Sequence, residues 1–142
     1  MNYKEHDVIN VLETNLDDCA GEILGYVMDK LFENGAKDVF YTPIYMKKNR
    51  PAHKLTVLCA DEKVEVLEDI IFMETTSIGI RKHKEERTVL SRCFKEIETK
   101  YGKLKVKAVK TPVGERFYPE FESAKELAKI NCVSLGVIYK EV

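Results

Sequence analysis

Apolar residues recur along this chain in two rhythms, and the switches between them lay out its elements. Val8, Ile9, Val11 and Leu12 fall within residues 7–14, a short apolar run that predicts a first buried strand. Ile23, Leu24, Val27, Met28, Leu31 and Phe32 then recur as pairs four residues apart, which builds one apolar helix face. Asp17 or Asp18 suits the N-cap of that helix, Glu22 adds negative charge to its first turn, and Gly35 suits the C′ stop after Asn34. Residues 38–45 carry Val39, Phe40, Tyr41, Ile44 and Tyr45, the β-branched and aromatic content of a second strand. Leu55, Val57 and Leu58 mark a third strand over 54–60, antiparallel to the second. Asp61 suits the cap of a second helix whose Val64, Leu67, Ile70 and Ile71 recur three and four apart, while Glu62, Glu65, Glu68 and Asp69 make its other face a solvated one. Ile78, Ile80, Thr88, Val89 and Leu90 carry a fourth strand, interrupted by the charge run 82–87.

Strand, helix, strand, strand, helix, strand is the order of the split βαβ, or ferredoxin-like, arrangement, which packs two helices on one face of an antiparallel sheet. From Cys93 the rhythm changes. Charged and apolar residues alternate over 97–109 with Tyr101-Gly102 as the turn, which predicts a hairpin. Its Lys100, Lys103, Lys105, Lys107 and Lys110 fall largely on one side, the pattern of a solvated edge strand protected by lysines. Thr111-Pro112-Val113-Gly114 reads as a turn, 117–121 as an extended aromatic segment, Ser123 as the cap of a helix holding Leu127, Ala128 and Ile130, and Ser134 as the cap of a last turn through Tyr139. The expected fold class is α+β: a ferredoxin-like split βαβ domain over 1–91, then a small β-hairpin plus helix subdomain over 92–142, with the seam near Ser91.

Composition narrows the function classes. With 142 residues, 44% hydrophobic and 33% charged, the chain has the balance of a soluble globular protein. Lys and Arg number 23 against 24 Asp and Glu, so no global field draws it to nucleic acid, and an anion site has to be local. The four cysteines, Cys19, Cys59, Cys93 and Cys132, form no C-x-x-C pair and have no histidine at zinc-ligand spacing, which reads as reduced thiols in a cytoplasm. Lys4, Glu5, His6 and Asp7 break any apolar leader core near the start, and no segment approaches a membrane-spanning length. The expectation is a cytoplasmic protein with no membrane and no nucleic acid partner. No G-x-G-x-x-G, no G-x-x-x-x-G-K-[ST] and no G-x-S-x-G occurs.

Three stretches carry candidate chemistry. Met46-Lys47-Lys48-Asn49-Arg50-Pro51 puts three cations and an amide in four consecutive positions, and Pro51 restricts the backbone that follows. Fixed there, Lys receives phosphate oxygens as a point charge and Arg through its planar fork, so a nucleoside triphosphate is the first candidate ligand; an exposed charge run is the alternative. Glu13-Thr14-Asn15-Leu16-Asp17-Asp18 gathers oxygen-bearing side chains at a strand-to-helix junction, suited either to capping or to a hard divalent cation. Glu74-Thr75-Thr76-Ser77-Ile78-Gly79-Ile80-Arg81 offers hydroxyls near a glycine and an arginine, suited to a phosphate or ribose contact or to a turn. The element order leaves open whether the acidic and basic clusters meet within one chain or across an interface between subunits.

These stretches, together with 35–44 and Glu86-Arg87, closely resemble the carboxy-terminal part of the LarC family, the nickel insertion protein of nickel-pincer nucleotide biosynthesis, from about Val8 to Tyr139. The resemblance implies a CTP-dependent cyclometallase that places nickel into pyridinium bis-thiocarboxylic acid mononucleotide, the precursor of the lactate racemase cofactor, while CTP is hydrolysed to CMP and diphosphate. It further implies that this domain binds CTP with Mn2+ or Mg2+ and forms a homo-oligomer. On that basis Lys47, Lys48, Arg50 and Arg81 are assigned to phosphates, Asp17 and Asp18 to the metal, and Asn15, Asn49, Thr75 and Thr76 to positioning the nucleotide. Two positions depart from the family pattern: Met73 stands where an arginine commonly precedes Glu-Thr-Thr, and Tyr118-Pro119-Glu120-Phe121 replaces Lys-Pro-Glu-Tyr. The family's amino-terminal domain, with its histidine-rich segment, is absent from these residues, so the expectation is a split-gene product or excised domain that works with a separate amino-terminal LarC domain. The competing class is a non-catalytic ferredoxin-like module for a small effector or RNA, for which Tyr41 and Tyr45 would supply stacking faces.

Overall fold

The computed structural model describes residues 3–142; Met1 and Asn2, the start of the expected 1–91 domain, lie outside the described residues. The elements in order are β1 (Lys4–Leu16), α1 (Gly21–Glu33), β2 (Asp38–Met46), β3 (Arg50–Cys59), α2 (Val64–Glu74), β4 (Arg81–Leu90), β5 (Arg92–Thr99), β6 (Gly102–Thr111), β7 (Gly114–Pro119), α3 (Phe121–Ile130) and α4 (Leu135–Tyr139). The chain divides into two compact units, Asp7–Arg87 and the stretch Thr88–Val142 with the segment that ends at His6.

In the unit Asp7–Arg87 the strand order is β2-β3-β1-β4, that of a ferredoxin-like sheet. β1 runs antiparallel to β3 from Asn10 opposite Cys59 to Leu16 opposite His53, and β2 runs antiparallel to β3 from Asp38 opposite Leu58 to Met46 opposite Arg50. Asp7–Arg87 and Glu13–Arg81 ion pairs connect β1 to β4 in the sense of antiparallel neighbours. Both helices cover one face, where Leu12, Leu16, Leu55 and Val57 of the sheet close on Leu24, Val27 and Leu31 of α1 and Leu67 and Ile71 of α2. The buried stripe of α1 is narrower than its apolar pattern, since Ile23 and Phe32 stay exposed. Gly35 stops α1 as expected: at φ 99 it lets its own N–H reach the Phe32 carbonyl and the Ala36 N–H reach that of Leu31.

Three predicted helix caps are not caps. The cap of α1 is Ala20, with no side-chain hydrogen bond, because the helix begins at Gly21, beyond the reach of Asp17 and Asp18. The α2 helix starts at Val64, and the Asp61 carboxylate accepts instead from the Asn10 amide at 2.6 Å and pairs with Lys84 at 3.1 Å. The cap of α3 is Glu120, while Ser123 Oγ accepts the Lys105 backbone N–H at 3.0 Å. Ser134 does stand at the cap of α4, without a side-chain bond. The charge run 82–87 does not interrupt β4 but forms it: last in the sheet order, it sends Lys82 to Glu68 and Lys84 to Asp61 toward the helix side while Arg81 and Arg87 turn to the other.

The second unit holds a three-stranded antiparallel sheet, β5-β6-β7, with Leu104 and Val106 packed against Ala124, Ala128 and Ile138. β6 is its central strand, not an edge, and two of its lysines meet glutamates: Lys103 pairs with Glu98 and Lys107 with Glu120. Both turns of this meander use one device. Thr99 Oγ1 accepts from the Tyr101 N–H and donates to the Gly102 carbonyl at 2.7 Å, and Thr111 Oγ1 treats Val113 and Gly114 the same way. Gly102 and Gly114 take φ 122 and 127, a conformation closed to other residues without strain.

Candidate functional site

Sheet register brings the end of β1 to the start of β3, since Leu16 stands opposite His53. The acidic stretch after β1 therefore lies beside the cationic turn that precedes β3, and Arg50 Nη1 reaches Asp17 Oδ2 at 3.5 Å. The two clusters meet within one chain. Lys47–Asn49 form the three-residue turn between β2 and β3, with Lys48 at φ 60, ψ 24 and Asn49 at φ 56. Asn tolerates this left-handed region, whereas Lys there costs roughly 1 kcal/mol or more, strain of the kind that collects at functional turns. Among the described residues neither Lys47 nor Lys48 has an ion-pair partner. Pro51 does not end the segment but sits inside β3 opposite Tyr45, outside the stretch that pairs with β1.

The hydroxyl-rich connection from α2 to β4 closes on the same edge. Thr76 Oγ1 donates to Asp18 Oδ1, and Cys19 Sγ lies 3.5 Å from the same hydroxyl. Thr14 Oγ1, buried in β1, meets Ser77 Oγ at 2.7 Å and donates to the Gly79 carbonyl at 2.9 Å, which ties the connection to the sheet. Thr75 faces inward: its hydroxyl donates to the Ile71 carbonyl at 2.6 Å and accepts the Ser77 N–H at 3.1 Å. Asp17, Asp18 and Thr76 thus share one edge with the cationic turn, while Thr75 secures the end of α2.

Arg81 and Asn15 form a second part of the site on the face of the sheet away from the helices. The Arg81 Nε donates to Glu13 Oε1 at 3.0 Å and its Nη2 to Asn15 Oδ1 at 2.8 Å, with Lys54 Nζ 3.8 Å from the other Glu13 oxygen. The Arg81 hydrogen bond, then its charge and that of Lys54, hold the Glu13 carboxyl below the usual carboxylate range against the opposing effect of burial. Glu13, Lys54, Thr14 and Ser77 stand outside the set assigned from the motifs, and only the β1–β3 register and the β4 pairing reveal them as neighbours. Tyr41 and Tyr45 offer no stacking platform on the open face. Tyr41 donates its hydroxyl to the Leu24 carbonyl of α1 at 2.7 Å, with its pKa pushed up to about 12 by burial and by the nearby Cys19, and Tyr45 shares its parity in β2.

Among the described residues no three His, Cys, Asp or Glu side chains gather into a cluster that holds a metal unaided. The donor set of Asp17 and Asp18 fits a different demand: Mg2+ and similar hard ions bind through one or two carboxylates plus the phosphates of a nucleotide. Of the described helices none is long and apolar enough to cross a membrane.

Fold and site define an α+β chain with a ferredoxin-like unit whose sheet edge sets a cationic turn against paired aspartates. A family model described as nickel insertion protein matches residues 1–139. The pyridinium-3,5-bisthiocarboxylic acid mononucleotide nickel insertion protein of Alkaliphilus metalliredigens is 52% identical over 132 residues, 93% of this chain and 31% of that protein. The protein of the same description from Acetivibrio thermocellus is 51% identical over 139 residues, 98% of this chain and 34% of its own. Among solved structures, LarC2, the C-terminal domain of a cyclometallase involved in the synthesis of the NPN cofactor of lactate racemase, in its apo form, superposes with a TM-score of 0.88 at 41% identity, covering 96% of this chain and 95% of that one. A Methanopyrus kandleri protein superposes with a TM-score of 0.67 at 26% identity, over 95% and 86% of the two chains. The chain belongs to the nickel insertion protein family, and its fold is that of the LarC carboxy-terminal domain. It spans about a third of the length of these relatives.

Proposed function

We propose that this chain is the CTP-binding part of a cytoplasmic nickel insertion protein. Acting with an amino-terminal LarC domain and as a homo-oligomer, it takes part in placing nickel into pyridinium-3,5-bisthiocarboxylic acid mononucleotide while CTP is hydrolysed to CMP and diphosphate. The names of its relatives supply the substrate and the inserted metal. The observation that carries the nucleotide reading is the Asp17–Arg50 pair, which joins the acidic stretch to a strained turn with two unpartnered lysines.

Lys47, Lys48 and Arg50 neutralise the triphosphate, with the Arg fork donating to two oxygens of one phosphoryl group. Asn49, at the left-handed end of the turn, and Asn15 and Thr76, at its acidic side, orient the nucleotide; Thr75 contributes by fixing the end of α2. Arg81 is held from one side by Glu13 and Asn15, which leaves its Nη1 to face the ligand. Asp17 and Asp18 would hold Mn2+ or Mg2+, which supplies charge neutralisation on the phosphoryl oxygens. The test is calorimetric titration of the chain with CTP, ATP, GTP and UTP, each with and without Mn2+ or Mg2+. Metal-dependent preference for CTP is expected, and failure of all four to bind refutes the reading.

A further inference from the structure

In the unit Thr88–Val142, β5 is an outer strand of its sheet: β6 lies on one side of it and, among the described residues, no strand on the other. Its backbone polar groups alternate between the two sides. The Lys110 N–H donates to the Ser91 carbonyl at 3.2 Å, a bonded position at the start of the β5–β6 ladder. Lys105, opposite Glu96, turns its own groups away from β5: its N–H donates to Ser123 Oγ at 3.0 Å and its carbonyl accepts the Glu120 N–H at 2.9 Å. Glu96 is therefore a non-bonded position of the ladder, and the period of two carries the same geometry to Phe94 and Arg92. The N–H and C=O groups of these three residues point to the free edge.

The same three side chains share a face. Ile97, opposite Leu104, packs with the core beneath α3, so Arg92, Phe94 and Glu96, of the other parity, look away from it. Residues 92–96 are all exposed, Phe94 to 69%. Among the described residues neither Arg92 nor Glu96 has an ion-pair partner. Charges of one sign along an edge strand repel a second strand. Here a free cation and a free carboxylate stand symmetrically about an exposed ring, which makes the strand complementary to itself run in reverse.

Two-fold pairing of two such strands about one residue sets every other residue against the one equally far on the far side of that centre. Centred on Lys95 it opposes two lysines, and centred on Glu96 it opposes two glutamates. Centred on Phe94 it opposes the two rings and places each Arg92 across from the partner's Glu96, with the free backbone groups of all three residues meeting their counterparts. Resting on the homo-oligomer of the proposed function, we infer that β5 pairs antiparallel with β5 of a second copy in this register. Two three-stranded sheets then become one continuous sheet, and the edge that each leaves open is closed.

Sedimentation velocity of the full chain tests the contact, and the parent is expected to be an oligomer with an even number of subunits. Arg92→Glu sets carboxylate against carboxylate at both ends of the paired strands, and Glu96→Arg sets cation against cation. Each is expected to weaken association about tenfold or more and to halve the mass. An equimolar mixture of the two variants re-forms both ion pairs in a mixed dimer, and its mass is expected to return to that of the parent. Phe94→Asp, at an exposed position, opposes two carboxylates at the centre and is expected to halve the mass as well; it decides the matter should either charge variant fail to fold. A monomeric or odd-numbered parent, single variants of parental mass, or a mixture that stays at half mass overturns the contact. CTP titrated into the same samples reports on the triphosphate site separately, since none of the three residues belongs to it. Loss of CTP binding by an oligomeric parent overturns that site alone, and a parent that binds CTP as a monomer overturns the β5 contact and the homo-oligomer with it.

Discussion

Replacing Arg50 with alanine separates binding from folding at the candidate site. In the folded chain the Arg50 side chain is 55% exposed and its contact is one 3.5 Å approach to Asp17. A pair so solvated contributes about 1 kcal/mol or less, so the variant is expected to unfold within about 2–4 °C of the parent. In the complex the same guanidinium makes charge-assisted bonds to phosphate, worth about 1.5–3 kcal/mol, which predicts a loss of CTP affinity of roughly 10- to 100-fold. Arg50→Lys keeps the charge without the fork and is expected to fall between the two. Calorimetric titration and thermal unfolding on the same samples give both quantities. A folded Arg50→Ala chain that binds CTP as the parent does refutes the assignment, and a drop in Tm beyond 10 °C shows that Arg50 is a structural residue.

The strained turn gives a companion result: Lys48→Gly removes a side chain from φ 60, so Tm is expected to hold or rise by a few degrees while CTP affinity falls about tenfold. Gly35→Ala forces a side chain into φ 99 with its Cβ 2.8 Å from Lys63 Cε, and denaturant unfolding is expected to show a loss of about 1–2 kcal/mol. Thr99→Val and Thr111→Val each remove a hydroxyl that both accepts and donates within its turn, with an expected cost of about 0.5–1.5 kcal/mol each by the same assay. Arg87 and Arg81, through hydrogen bonds, hold the Asp7 and Glu13 carboxyls below their ordinary values of 3.8 and 4.5. Their folded pKa values lie below the unfolded ones, so the stabilisation is present above pH 4.5 and is lost as pH falls through the folded values. The loss of stability between pH 7 and pH 3 should be smaller in the Asp7→Asn, Glu13→Gln double variant, the remainder including Asp61, which Asn10 and Lys84 hold low in the same way, and an unchanged acid limb would count against these pairs.

The split βαβ order was legible because its helix faces are regular: Leu24, Val27 and Leu31 on α1 and Leu67, Ile70 and Ile71 on α2 are the buried positions. The caps were not. Helix α1 begins at Gly21, out of reach of Asp17 and Asp18, and all four residues with the chemistry of a cap, Asp17, Asp18, Asp61 and Ser123, instead meet partners distant in sequence, Arg50, Thr76, Asn10 and Lys105 respectively. Local preference cannot register such partners. The meeting of acidic and basic stretches depends on the Leu16–His53 register, a pairing between residues far apart in the chain. The charge run 82–87 reads from sequence as an interruption of the expected fourth strand because the ion partners of β4, Glu13, Glu68, Asp61 and Asp7, lie on other elements.

The Asp17–Arg50 pair makes each charged group at the site the other's counterion before any ligand arrives. A phosphate that takes Arg50 releases the Asp17 carboxylate, and a divalent ion that takes Asp17 releases Arg50. Nucleotide and metal then favour each other's binding by the same factor, as linkage requires. The ion exchanged on binding is in part internal, so the salt dependence of CTP affinity should be shallower than three cations in a row would suggest.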